Sequence, residues 1–161
     1  MEEMAPSAWD AVTGHAVSVF VRESLWAYPI LETIHVIGLA LVFAPILLFD
    51  LRVLGFYADT TIAGWHAALL PWVYFGFALN ASSGALMFAS DAAEFAGNRA
   101  FQVKLMLLAA AGINAVLFQT RLFPAVRNGE VVSATSKASA IASIVLWLAI
   151  ITAGRMMAYI K

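Results

Sequence analysis

The chain reads as an all-α integral membrane four-helix bundle with a short N-terminal interfacial helix, and three observations predict it. Of its 161 residues 63% are hydrophobic and the mean hydropathy is +0.87, far above the roughly half-apolar make-up of water-soluble domains. The apolar residues gather into four runs, each near the ~20 residues of helix needed to cross a ~30 Å hydrocarbon core. The stretches between runs are short and carry the charges and turn formers, so residues 1–161 form a single transmembrane domain with almost nothing outside the bilayer.

Composition also removes several classes of function. A net charge of -1 argues against nucleic acid as a partner. With no cysteine there is no disulfide, thiolate metal site or cysteine nucleophile. Histidines and carboxylates lack zinc or calcium spacing, and no phosphate loop or nucleophile motif is present. The acidic start MEEMAPSAWD lacks the basic opening of a secretory signal, so the first span is expected to stay in the mature protein.

Residues 7–22 begin with Ser7 and Asp10 in capping-box spacing and place Trp9, Val12, Ala16, Val19 and Phe20 on one face, with His15, Ser18 and Arg22 on the other. That pattern predicts a helix lying in the membrane interface. The first span covers 27–49 and ends at Asp50 and Arg52, read as a cap and an anchor. Inside it Glu32 and His35 are three apart and share a face, with Gly38 a turn further on.

The second span covers 66–89, with Pro71 in its first turns. Gly76, Asn80 and Gly84 recur every four residues, and Ser83 and Met87 extend that side. Small residues at this interval let two backbones approach closely, so the face should pack on a neighbour. His66, beside Trp65, reads as interfacial, and Trp26, Trp65, Trp72 and Tyr159 fit an aromatic belt. Asn98 is a plausible N-cap for the third span, 99–123, which carries Lys104 near its start, a small-residue run at 109–112, Asn114 near its middle, and Pro124 at its close. After the polar run that holds Arg127, Asn128, Gly129, Glu130 and Lys137, the fourth span covers 140–160, with Thr152, Arg155 and Tyr159 on one face.

Depth brings the polar groups of separate spans together. At a rise of ~1.5 Å per residue, His35 lies ~12 Å from the side that holds the termini, and Lys104 and Arg155 within ~10 Å of it. Glu32, His35, Ser83, Met87, Lys104, Arg155 and Tyr159 therefore gather in one leaflet. An acid and an imidazole at that depth should face protein, ligand or water rather than acyl chains. Two readings follow for the charges: a network that joins helices, or an anion site holding carboxylates such as haem propionates. Two follow for His35: an imidazole satisfied by a backbone carbonyl or by Glu32, or an axial ligand of haem iron with Gly38 leaving room for the macrocycle. A second ligand would come from His15 or from Met87, Met106, Met156 or Met157, since His66 belongs to the opposite surface. The cations Arg52, Arg121, Arg127 and Lys137 on that surface slightly outnumber Arg22, Arg99 and Lys161, which favours external termini in a bacterial inner (cytoplasmic) membrane.

The run YPxxExxHxxG at 28–38, DLRxLG at 50–55, FQVKLMLLAAAGIN at 101–114 and LWLAIITAGRMMAY at 146–159 resemble a family of small four-span bacterial membrane proteins of unknown function. More distantly, one His in the first span and one Lys early in the third are similar to HemJ-type protoporphyrinogen oxidases and CopD-like membrane domains. In HemJ-type proteins the matching His and Lys are regarded as essential and a b-type haem is bound. The resemblance implies His35 as the ligand of a haem b iron and Lys104 as partner of a tetrapyrrole carboxylate or of a reacting group. The Trp-rich first span of HemJ is not reproduced here. The expected cofactor set is His35, Glu32, Lys104, Arg155, Met87 and Tyr159, serving electron transfer with a quinone or a larger redox complex. The alternatives are HemJ-like oxidation of protoporphyrinogen and a non-catalytic accessory subunit of a membrane complex. In either case the chain could assemble as a homo- or hetero-oligomer.

Overall fold

A computed structural model describes residues 9–127 and 131–160, and in it the first three apolar runs are helical past their hydrophobic stretches, whereas the fourth begins six residues earlier than expected, at Ala134, and ends at Met156 rather than at 160. Two short helices, α1 (Asp10–Thr13) and α2 (Ala16–Glu23), lead into α3 (Ala27–Leu54). Next come α4 (Ile62–Ser90), the short α5 (Ala92–Gly97) and α6 (Arg99–Leu117). A π-helical turn at Phe118–Leu122 joins α6 to α7 (Phe123–Arg127), and α8 (Ala134–Met156) completes the bundle. Four segments, Ala27–Leu54, Ile62–Ser90, Arg99–Arg127 and Ala134–Met156, are long and apolar enough to cross a membrane. The chain is a multi-pass integral membrane protein. Large apolar side chains such as Trp72, Phe75, Ile113 and Val145 face outward, as a lipid-covered surface requires.

Helix α3 does not stop at Asp50. It runs one turn further, to Leu54, where Gly55 at φ +112° reverses the chain. The Phe56 amide donates to the Leu51 carbonyl and the Gly55 amide to the Arg52 carbonyl, a Schellman closure that only a left-handed residue permits cheaply. Asp50 is thus an interior residue of the helix, not its cap. Arg52 donates to the carbonyls of Ala58 and Thr60 and ties down the turn into α4. Pro124 likewise fails to end its span. A proline ring clashes with the carbonyl four residues back, and the wider π-helical turn just before it lets the helix continue to Arg127.

The expected single interfacial helix is divided. His15 has extended backbone angles and caps α2, its Nδ1 accepting from the Val17 amide at 3.3 Å. Ser7 lies outside the described residues. The two faces are not cleanly divided: Ser18 is buried and Arg22, though exposed, donates to the Ser90 carbonyl at 3.1 Å, while Phe20 is 65% exposed. A polar side chain with a backbone carbonyl to meet outranks an aromatic that lipid can cover.

Helices α3 and α4 pack tightly, as do α6 and α8, and α3 meets α8, whereas α4 and α6 do not pack along their lengths. The small-residue face of α4 makes the first of these contacts. A Cβ added at Gly76 would lie 2.7 Å from Leu41 Cβ, and one at Gly38 would lie 2.7 Å from the Asn80 amide nitrogen. Pro45 sits inside α3, buried, a turn beyond this crossing. A cluster of Val53, Ile62, Phe118, Phe123, Val126 and Ala140 closes the end of the bundle where α3 finishes and α8 begins.

Candidate functional site

Two groups of polar side chains occupy opposite ends of the four-helix bundle. Near the termini, His35 projects from α3 onto α4. Its Nδ1 is 3.2 Å from Ser83 Oγ, and the Asn80 side chain donates to the His35 carbonyl at 2.8 Å. Ser83 has one proton and directs it to the Leu79 carbonyl at 2.7 Å, so its hydroxyl accepts from Nδ1–H. The ring lies against Gly84, where an added Cβ would come within 3.0 Å of Cε1. Lys104 and Glu32 are both within electrostatic range of the imidazole, and Lys104 packs its stem and Nζ against Gly154 of α8.

The structure therefore brings His35, Ser83, Lys104 and the α8 backbone together, as depth predicted. Arg155, Tyr159 and Met87 of the expected set make other contacts, while Glu32, though exposed, stays within electrostatic range of His35. Arg155 is exposed and donates to the Tyr159 hydroxyl at 3.1 Å, with its guanidinium 5.4 Å from that ring's centre. Glu32 is exposed, and Met87 is half-buried with its carbonyl accepting from Ser90. The room expected beside Gly38 is filled by the Asn80 backbone, and the notch at Gly84 is filled by the His35 ring itself. The residues present do not fit a haem lying on the Gly38 face.

The open space is at the other end. A half-open cavity of about 420 Å³ is lined by residues from all four long helices. Its walls are mostly apolar, with Ile46, Leu69, Val73 and Trp147 among them. Its polar groups come from each wall in turn. Asn114 of α6 and Ser139 of α8 satisfy one another: Ser139 Oγ donates to Asn114 Oδ1 at 2.8 Å, and Asn114 Nδ2 donates to the Ser139 carbonyl at 3.1 Å. His66 of α4 pairs through Nε2 with the Gln119 side chain and stacks on Phe123, ring centres 4.0 Å apart. His66 is thus half-buried at the cavity wall and not simply interfacial.

Asp50 of α3 is the exception among these groups. It is 5% exposed and lines the cavity, with the Ser143 hydroxyl facing its carboxyl. Its Oδ2 has no hydrogen-bond partner among the described residues. A buried charge without a partner is costly, and buried acids are normally paired or hydrogen-bonded. An ionisable side chain in this position makes Asp50 a candidate functional residue.

Sequence reasoning passed over Asp50, Asn114, Ser139, Ser143 and Gln119 as site residues. Asp50 was hidden because an acid at the end of an apolar run reads as the end of the helix. The serines carried a usable signal: Ser136, Ser139 and Ser143 follow helical spacing along one side of α8, and two of them reach the cavity. No family model, curated protein or solved structure matches the chain.

Proposed function

We propose that this protein binds a small, largely apolar molecule inside the bilayer, in the cavity lined by its four long helices. One observation carries the reading: Asp50, a buried acid with one carboxyl oxygen that has no hydrogen-bond partner among the described residues, lines an apolar cavity of about 420 Å³. Ligand sites combine these features, an apolar enclosure of several hundred Å³ with a few converging polar groups that fix orientation. With external termini in a bacterial cytoplasmic membrane, the chamber lies in the inner leaflet, beside the turn anchored by Arg52. A solvatochromic lipophilic probe added to the purified, detergent-solubilised protein should shift its emission to the blue and saturate. Ala115→Trp fills the chamber from α6 and should abolish the shift while leaving the elution profile unchanged. An equal shift in both proteins removes the reading.

The second reading keeps the redox role implied by the resemblance, with His35 and Lys104 as its centre. The placement of an imidazole from α3 within electrostatic range of an ammonium from α6 favours it. Its test is a reduced-minus-oxidised spectrum of protein expressed with added haem precursor. A flat Soret region ends it.

A further inference from the structure

We infer that the molecule held in the cavity is a lipophilic amine, its ammonium against the Asp50 carboxyl and its apolar body along the cavity walls. The inference rests on the ligand-binding reading above and adds the ligand's charge. It comes from the hydrogen bonds that the polar side chains of the lining already make. Asn114 and Ser139 are engaged with one another, His66 Nε2 is engaged by Gln119, and the Thr120 hydroxyl donates to the Val116 carbonyl at 2.7 Å. The buried side-chain atom left without a partner is a carboxylate oxygen, which accepts and does not donate when ionised.

The chain does not supply the missing cation itself. Arg52 lies half a turn from Asp50, but its guanidinium is engaged by the carbonyls of Ala58 and Thr60. Among the described residues no lysine, arginine or histidine pairs with Asp50, and His66 is turned to Gln119. Buried alone, an acid gives up its charge; a ligand that keeps Asp50 ionised must both donate a hydrogen bond and carry the balancing charge, and an ammonium does both with one group.

The occupant's other properties follow from the walls. A hard inorganic cation takes six or more oxygen ligands, whereas one carboxylate and the Ser143 hydroxyl face each other here. Among the described residues no three His, Cys, Asp or Glu side chains stand close enough to hold a metal ion. Aliphatic walls suit a hydrocarbon body, and the aromatic rings of Phe49, Phe118 and Trp147 offer the faces to which organic cations are drawn.

Dansylcadaverine and its N-acetyl derivative carry the same fluorophore and differ in the charge of one nitrogen. Titrated into the purified full-length protein, the amine should bind at least tenfold more tightly than the acetylated form. Asp50→Asn, nearly the same size, should erase that preference, and Asp50→Glu should retain it. All three proteins should give the same elution profile before titration. Equal affinity of the two probes for the wild type overturns the amine assignment and leaves the cavity reading standing, as does a preference that survives in Asp50→Asn. Failure of both probes to bind the wild type overturns the two together.

Discussion

His35 and Asp50 project from the same helix, about four turns apart, and their surroundings handle a polar side chain in opposite ways. Around His35 the backbones of α3 and α4 come so close that Gly38, Gly76 and Gly84 have no room for a Cβ, and the imidazole is held by Ser83. Around Asp50 all four long helices line a half-open cavity of about 420 Å³, and one carboxyl oxygen has no partner among the described residues. Small residues zip the first half shut, whereas bulky aromatic and aliphatic side chains hold the second half open. Rigidity in one leaflet provides a frame for a chamber in the other.

The largest expected effect comes from breaking the closed half. Gly38→Leu drives a side chain into the Asn80 backbone, where even a Cβ would sit 2.7 Å from the amide nitrogen. Overpacking with no flexible neighbour to yield typically costs ~1–3 kcal/mol or more, so this variant should lose its monodisperse elution in detergent. Gly112→Ala is the control, because nothing lies within 4 Å of its added methyl, and it should be indistinguishable from the wild type.

A smaller effect of opposite sign is expected at the other pole. Asp50→Leu removes an uncompensated buried carboxyl and replaces it with an apolar group of similar volume. Removing a buried polar group that lacks a full set of partners should stabilise by ~1–2 kcal/mol. The unfolding midpoint in a denaturing detergent titration should rise while the preference for the amine probe disappears. A fall in the midpoint would mean that Asp50 supports the fold and would erase the contrast drawn here. The smallest effect is expected at Asn114→Ala, which breaks the reciprocal pair with Ser139. Hydrogen bonds between membrane helices average ~0.6 kcal/mol and reach ~1.7 kcal/mol, so the same titration should show a loss of about 1 kcal/mol.

Much of the closed half can be read from residue spacing. The four-residue interval of Gly76, Asn80 and Gly84 announces a close helix contact, and its partner side is Gly38 and His35 as the heptad-like register allows. Depth arithmetic also brings Lys104 toward His35. Whether a glycine's vacancy faces a ligand or a neighbouring backbone depends on the crossing of two helices, which no single segment encodes, and at Gly38 the backbone took it. The open half is less legible because its members lie far apart in sequence and each has a dull local reading. Asp50 resembles a helix end, His66 an interfacial ring, and Pro124 a stop. The π-helical turn and the Gly55 closure overrule these local cues by carrying the helices further than hydropathy alone would.

Pro45 falls between the two regions. It has no amide proton, so the Leu41 carbonyl goes without its usual intrahelical donor, and this is the turn on which Gly76 rests. The third helix therefore has one missing rung at mid-membrane. Sideways force on its lower segment would pivot there, swinging the acid-bearing end while the upper seam stays clasped.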